Sequence, residues 1–327
     1  MTTYLLSKRV NISGQLSGGQ GCFQFNLDRE ASDNDEFYKL QTISNENFDN
    51  SIREESYLGA SQFQTKFVYN LDERGKETAK AGIKSLDLLI PFSQLFNQQI
   101  ESIEVVSQSS ITKYEKHFVE EFSIEGKKLN HYKLETTANN QVVKSFNAYV
   151  IVDEEFEICS ITNSNSGVEK FEPLEKNHPR LYFTFPLIGS EEIGIPFVIN
   201  SLQFDPKVER NGIYLKSGND KTDVVRNKTI IESGLQIATE VFTKLSIIRN
   251  IEGVFELLNF KAAKDYTWID HSWLNGLKRE TLDSLSTIEF IKVADNDNPT
   301  SFNDLTVPYS SYEEKSIKIY ELFKNLS

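Results

Sequence analysis

The chain has little of what builds a metal or redox centre. Among 327 residues there are 2 cysteines, 4 histidines and 1 methionine. Cys22 and Cys159 lie far apart with no CxxC partner, which argues against a thiol-rich zinc site or a disulfide framework and predicts two buried free thiols. His117, His131, His178 and His271 show no metal-ligand spacing with one another, with Cys or with a carboxylate. Cations are also short: 35 Lys and Arg stand against 48 Asp and Glu, a net charge of −13, and the longest basic run is a pair such as Lys127-Lys128. Nucleic acid and anionic membranes both need clustered cations, so neither is expected as a partner. No apolar run approaches the ~18 residues of a membrane span. The opening MTTYLLSKRV is too short and too polar for a signal-peptide core. A cytoplasmic protein is the resulting expectation, on which the Asn-x-Ser/Thr matches at Asn11 and Asn227 carry no meaning.

What is present is core material. Phenylalanine is frequent, at 23, and apolar residues make up 39% against 25% charged. That composition suits two globular domains or one large one. Val10-Asn11-Ile12 opens a strand, Gln15–Gly21 is a Gly-rich turn, and Phe23, Phe25 and Leu27 alternate on one face, so the segment predicts a hairpin. Residues 28–60 are polar and read as a long loop with at most a short helix. Gln64–Leu71 is a strand, and Ala79–Leu89 a helix with Ala79, Ile83 and Leu86 on one stripe. Pro91 is expected to interrupt that helix and start a second one through Phe96. From Ile100 the pattern is serial strands: Ile100–Val106, Tyr114–Ile124, Leu129–Thr136, Val142–Asp153 and Glu157–Thr162, an antiparallel meander with turns at Gly126-Lys127 and Ala138–Asn140. Lys228–Ile248 carries the strongest helical stripe, Ile231, Leu235, Ala238, Phe242 and Leu245, widened by Ile230, Ile237, Val241 and Ile248. A final helix is expected from Ser311, with Ser311 and Glu314 as a capping box. The class is α+β.

Residues 180–216 form the most pointed segment. Two strand-like runs, Leu181–Leu187 and Ile195–Asn200, flank an acidic turn; a polar loop, Asp205 to Gly212, holds Lys207, Glu209, Arg210 and Asn211; a third run, Ile213–Leu215, closes the unit. Strands holding out a loop with one placed cation aim a charge at a ligand.

The other chemical groupings have plainer readings. Gly14, Gly18, Gly19 and Gly21 lie between two strands with no following helix, so a hairpin turn explains them better than a phosphate cradle. Asp153, Glu154, Glu155 and Glu157 make a charged turn. His271 sits between Asp270 and Ser272, but catalytic triads form in space and adjacency in sequence is no evidence for one. Trp268 and Trp273 suit a packed satellite core rather than a stacking platform.

The ordered series of segments resembles a known family. TTYLLSKRVNISG with FQFNLDR is similar to the region after the last glycine motif of GHKL-type ATPases, which include the ninety-kilodalton heat-shock chaperone, gyrase B and MutL. QTKFVYNL resembles that chaperone's Gly-Thr strand, with Gln64 for the glycine and Thr65 retained. IPFSQLFNQQIESIEV, and above all FPLIGSEEIGIPFVINSLQFDPKVERNGIYL, are similar to the sacsin-type ATPase region of large bacterial proteins. The likeness is strongest over 64–106 and 181–215 and weak beyond about residue 250. The QTK triplet at Lys66 also mimics the gyrase switch-loop motif, a coincidence given its place in the Gly-Thr-like strand.

The resemblance implies a partial GHKL-type sheet over 1–97, a mixed α/β transducer-like domain rich in antiparallel strands over 98–250, and an extension over 251–327. In the family a Glu-x-x-x-Asn helix, an Asp-x-Gly adenine contact and a Gly-rich lid bind the nucleotide; this chain has none of them in a usable context, and in the family they lie upstream of the segment matching Thr2–Gly14. The chain is therefore expected to be the C-terminal part of such an ATPase, an expectation that the uncapped apolar start at Tyr4–Leu6 shares. By resemblance, Arg210, and more weakly Lys207, would contact the γ-phosphate, and Thr65 the adenine. ATP and magnesium would belong to the parent protein, with none bound by this chain alone, and the partner would be a protein or the missing N-terminal ATPase half. The competing expectations are an interaction module with no nucleotide role and, more weakly, a hydrolase built on His131 or His271.

Overall fold

The structure, a computed structural model, describes residues 7–16, 21–54, 65–165, 167–208, 210–216, 221–264, 266–291 and 300–304. It is an α+β protein whose chain divides into two compact units, Met1–Leu86 and Asp87–Ser327. The expected helix ends at Tyr4–Leu6 and from Ser311, and the glycines Gly18 and Gly19, lie outside the described residues.

In the first unit, β1 (Arg9–Gln15) pairs antiparallel with β2 (Cys22–Asp28) on one side and with β3 (Thr65–Tyr69) on the other. The hairpin is as expected. The polar stretch after it is not a loop: helix α1 spans Asn34–Ser51. Its N-terminus is a capping box. Asp33 accepts the Glu36 N–H at 2.8 Å, while the Glu36 carboxylate accepts the Ser32 N–H at 2.7 Å. Only Ser44 is buried along the helix. Its attachment is aromatic, with Phe48 5.2 Å from Phe23 and 5.4 Å from Phe25 between ring centres. The helix is polar overall and exposes Phe37, Tyr38 and Ile43, which is why composition reads it as loop.

Helix α2 runs unbroken over Glu73–Phe96 with Pro91 inside it. The expected break does not occur. Ile90, Phe92, Leu95 and Phe96 are all buried, and burying four such side chains at about 1.5–3 kcal/mol each outweighs the roughly 3 kcal/mol that an interior proline costs.

The second unit is built on a nine-stranded sheet. Strands β4 (Ser102–Val106), β5 (Ile111–Ile124), β6 (Lys127–Ala138), β7 (Gln141–Val152) and β8 (Glu157–Asn165) form the expected antiparallel meander. β9 (Val168–Phe171) adds to the end of β8 as a hairpin, and β12 (Val198–Asn200) pairs with the start of β8 on that same edge, opposite β7. β10 (Leu181–Phe183) lies parallel to β12, and β11 (Phe185–Pro186) ends the sheet.

Register places Leu129, Ile151, Ile158 and Ile199 in one row across β6, β7, β8 and β12. This face packs against α3 (Lys221–Arg249) through Ile231, Leu235, Ala238 and Phe242, all buried. The opposite face, with Tyr132, Leu134, Ala148, Val150, Cys159, Tyr182 and Val198, packs against Phe92, Leu95 and Phe96 of α2. Side chains alternate across the sheet, so both faces are apolar and the unit is layered helix, sheet, helix. Helix α4 (His271–Ser286) joins the α3 layer through Leu274, and a small ladder, β13 (Glu289–Ile291) with β14 (Thr300–Ser301), follows. Cys22 and Cys159 are both free and buried. Among the described residues no helix is long and apolar enough to cross a membrane.

Candidate functional site

The Leu181–Leu187 run is not one strand. At Thr184 the backbone takes φ +62 and β11 folds back on β10, with Phe183 opposite Phe185. The turn is fixed by Asn200, whose side-chain oxygen accepts the Thr184 N–H at 2.8 Å and whose amide donates to Glu157 at 2.9 Å. Burial pushes the Glu157 carboxyl up from its ordinary value, against the opposing pull of Asn200 and Lys116. The Ile213–Leu215 run is not a strand either. It makes one isolated bridge, Ile213 to Pro206, while Ile213 and Leu215 plug the core with no exposed surface. Their apolar pattern reflects burial of single side chains, not a ladder.

Between these two bridge residues lies the polar loop, and its base is clamped. Asn227, in the second turn of α3 and without exposed surface, accepts the Asp205 N–H at 2.9 Å and donates to the carbonyls of Asp205 at 3.3 Å and Tyr214 at 3.0 Å. One side chain thus satisfies backbone groups on both limbs of the loop. Next to it, Arg226 pairs with the Asp205 carboxylate at 2.9 Å. Higher up, the Lys207 N–H donates to the Gly212 carbonyl at 3.0 Å and the Arg210 N–H to the Lys207 carbonyl at 2.8 Å. Gly212 lies so close to Trp268 that a Cβ there would stand 2.6 Å from the indole ring.

Arg210 sits at the tip with φ +53, a left-handed backbone. Its exposed guanidinium lies over the Phe183 ring, 5.4 Å from its centre, and reaches the Phe183 carbonyl at 3.5 Å. Arg226, rather than Arg210, takes Asp205; Glu209 lies outside the described residues. Lys207 is half-buried on the loop's shoulder. Thr65 belongs to the first unit, at the exposed start of β3 opposite Gly14 of β1. Arg210 and Lys207 therefore share one loop of the second unit, and Thr65 is an element of the first.

The histidines assemble no catalytic group that the geometry supports. His117 lies 3.6 Å from Glu135. His131 stacks on Tyr149 with ring centres 4.4 Å apart, 3.8 Å from Glu120. His178 is buried against Phe92. His271 opens α4, where the two oxygens of Asp270 accept the Trp273 N–H at 3.1 Å and the Lys228 ammonium at 2.6 Å. The same helix start explains Asp270: it is an N-cap. Cys159 is fully buried, and burial pushes its thiol far up, the reverse of what a nucleophile needs. Among the described residues no group of His, Cys, Asp or Glu is placed to hold a metal ion.

Sequence reasoning missed the residues that organise this loop, Asn227, Arg226 and Asn200. A signal existed for the first: Val224, Asn227 and Ile231 fall on one helical stripe, so Asn227 is a polar residue in an apolar row. Comparison of the chain with protein-family models, with curated proteins and with solved structures finds no match. The likeness of segments 64–106 and 181–215 to sacsin-type ATPases rests on those residues alone.

Proposed function

We propose that this chain is the transducer-side portion of a chaperone-like GHKL protein of the sacsin type, and that it couples ATP binding and hydrolysis in the parent protein to conformational change. In this reading Arg210 is the cation presented to the γ-phosphate, with Lys207 as a lesser contributor and Thr65 an adenine contact. ATP and magnesium are ligands of the parent's nucleotide site, not of this chain alone. The setting is cytoplasmic, the partners are proteins, and nucleic acid has no part.

The observation that carries the reading is the clamp of Asn227 on both limbs of the 205–214 loop. Phosphoryl transfer is promoted by positive charge held in place beforehand, and a single arginine so held is worth about 10³–10⁵ in turnover. The resting contact of Arg210 with Phe183 is cheap to give up, about 0.5–1 kcal/mol for an exposed cation on a ring.

In the parent protein, Arg210→Ala lowers ATP turnover by about 10³ or more, Arg210→Lys by less, and Lys207→Ala by less again. Unchanged turnover in Arg210→Ala removes the phosphate role. Titration calorimetry of this chain alone with magnesium-ATP is expected to give weak binding or none.

A second reading, an interaction module with no nucleotide role, is favoured by one feature. Phe185, Ile188, Leu202 and Val208, all within the 181–215 segment, are 49%, 51%, 68% and 79% exposed. On that reading Val208→Asp abolishes partner capture while Arg210→Ala leaves ATP turnover untouched.

A further inference from the structure

The second unit holds a cavity of about 220 Å³ on the far side of the sheet from α3. One wall is the last turns of α2, including Asp87, Pro91 and Phe92; the others are the start of β7, the end of β8 and the 172–178 segment. The volume is below the roughly 300–1,000 Å³ of drug-sized sites and suits one large side chain.

Its lining carries more negative than positive charge, with Ser145 and Asn163 as neutral polar groups. Three carboxylates border it, Asp87, Glu172 and Glu175, against one lining cation, Lys144. Lys144 is already committed, to Glu175 at 3.5 Å and to the face of Phe146 at 5.7 Å. Asp87 takes the Tyr114 hydroxyl. Glu172 has no ion-pair or side-chain hydrogen-bond partner among the described residues.

Three rings, Phe92, Phe146 and His178, share the remaining surface with aliphatic side chains such as Leu88 and Ile161. Phe92 stacks with Phe146, ring centres 6.2 Å apart, and packs on His178 at 4.1 Å. Burial, with Arg180 and Lys144 nearby, pushes His178 down to about 3, so this ring is uncharged at neutral pH. The 172–178 segment is held from behind, where Arg180 donates to the carbonyls of Leu174 at 3.4 Å and Glu175 at 3.3 Å.

We propose that this cavity binds the guanidinium group of an arginine side chain carried by a peptide, with aromatic faces beside it and the Glu172 carboxylate as its ion-pair partner. A guanidinium is planar, stacks on rings and brings five donors, which matches a slot bordered by carboxylates and rings better than a compact ammonium does. The arginine is peptide-borne because the only lining cation is committed to Glu175; the α-carboxylate of a free amino acid would face carboxylates unpaired. The inference stands apart from any nucleotide role.

The test titrates the whole chain by calorimetry with Nα-acetyl-arginine amide, Nα-acetyl-citrulline amide and free arginine. The capped arginine is expected to bind with a dissociation constant on the order of 1 mM, fitting for a ligand this small. The citrulline analogue, its neutral isostere, and free arginine should bind at least about tenfold more weakly, and Glu172→Gln should weaken the capped arginine by about tenfold. Equal binding of the citrulline analogue, equal affinity in Glu172→Gln, or no binding of the capped arginine at 10-fold higher concentration (~10 mM) overturns the proposal. Equal binding of free arginine overturns its peptide half. If Glu172→Gln alters the melting curve, the citrulline comparison on the unaltered chain decides alone.

Discussion

Asn227 holds Asp205 by both of its backbone groups, accepting the N–H at 2.9 Å and donating to the carbonyl at 3.3 Å, and with the same amide reaches Tyr214 at 3.0 Å. A helix side chain thereby reinforces the short backbone pairing of the 205–214 loop, in which the Tyr214 N–H reaches the Asp205 carbonyl at 3.4 Å and the Lys207 N–H the Gly212 carbonyl at 3.0 Å. The loop's tip can vary in sequence while its base stays fixed, the usual division of labour between a scaffold and a functional loop.

Replacing Asn227 with alanine strands the Asp205 N–H on one limb and the Tyr214 carbonyl on the other. The expected loss is about 2–3 kcal/mol in urea unfolding, with faster amide exchange at Asp205. Asn227→Asp keeps the acceptor but turns a carboxylate towards the two carbonyls, and should cost at least as much as alanine. Unchanged exchange at Asp205 would falsify the clamp.

Gly212→Ala inserts a methyl 2.6 Å from the buried Trp268 ring, which neither group can yield without moving. The chain should lose about 1–3 kcal/mol, as for an overpacked core. Its tryptophan fluorescence should shift as Trp268 is displaced. A variant with unaltered spectrum and stability shows that the loop does not seat on Trp268.

Arg210→Ala should leave folding stability within about 0.5 kcal/mol, since the side chain is exposed and its contact with Phe183 is a surface one. This separates the two possible jobs of the residue. A loss well above that figure, measured by thermal melting, makes Arg210 a structural strut and weakens the phosphate role.

His178 gives a pH dependence with a definite sign. Its folded value, pushed down to about 3 chiefly by burial, lies below the ordinary 6.5. The unfolded chain therefore binds the proton first. The contribution of His178 is intact above pH 6.5 and is lost as pH falls from there towards 3, at up to about 1.4 kcal/mol per pH unit. His178→Phe, which keeps a ring beside Phe92, should be measurably less sensitive to acid over that window in urea titrations at pH 7, 5 and 4. Parallel curves for both proteins remove the assignment.

Much of the fold is legible from residue order. The hairpin of β1 and β2, the five-strand meander and α3 all follow from strict two-residue or three-to-four-residue alternation, because each has one or two continuous apolar faces. The failures share a cause. Helix α1 depends on the Asp33–Glu36 capping box and one phenylalanine rather than on a stripe. Helix α2 passes through Pro91 because Phe92, Leu95 and Phe96 are bound to a sheet distant in sequence. The Leu181–Leu187 run turns at Thr184 because Asn200 waits there to accept its N–H. Apart from the Asp33–Glu36 box, which spans three residues, these contacts join segments distant in sequence, so no window of sequence contains them. The candidate loop shows the same division: Arg210 stands out in the sequence, while the residues that position it do not.

By itself, the sequence determined the α+β class, the serial strands and the buried helix, since apolar periodicity alone decides which faces leave water. It also set the acidic balance and the scarcity of thiols and histidines that narrow the chemistry. Only the tertiary structure decided that the 205–214 loop is clamped by Asn227, that Asp205 goes to Arg226 and leaves Arg210 lying on Phe183, and that Pro91 sits within an unbroken helix. Those outcomes rest on hydrogen bonds and packing between segments far apart in the chain, whose free energy exists only once the sheet has brought them together.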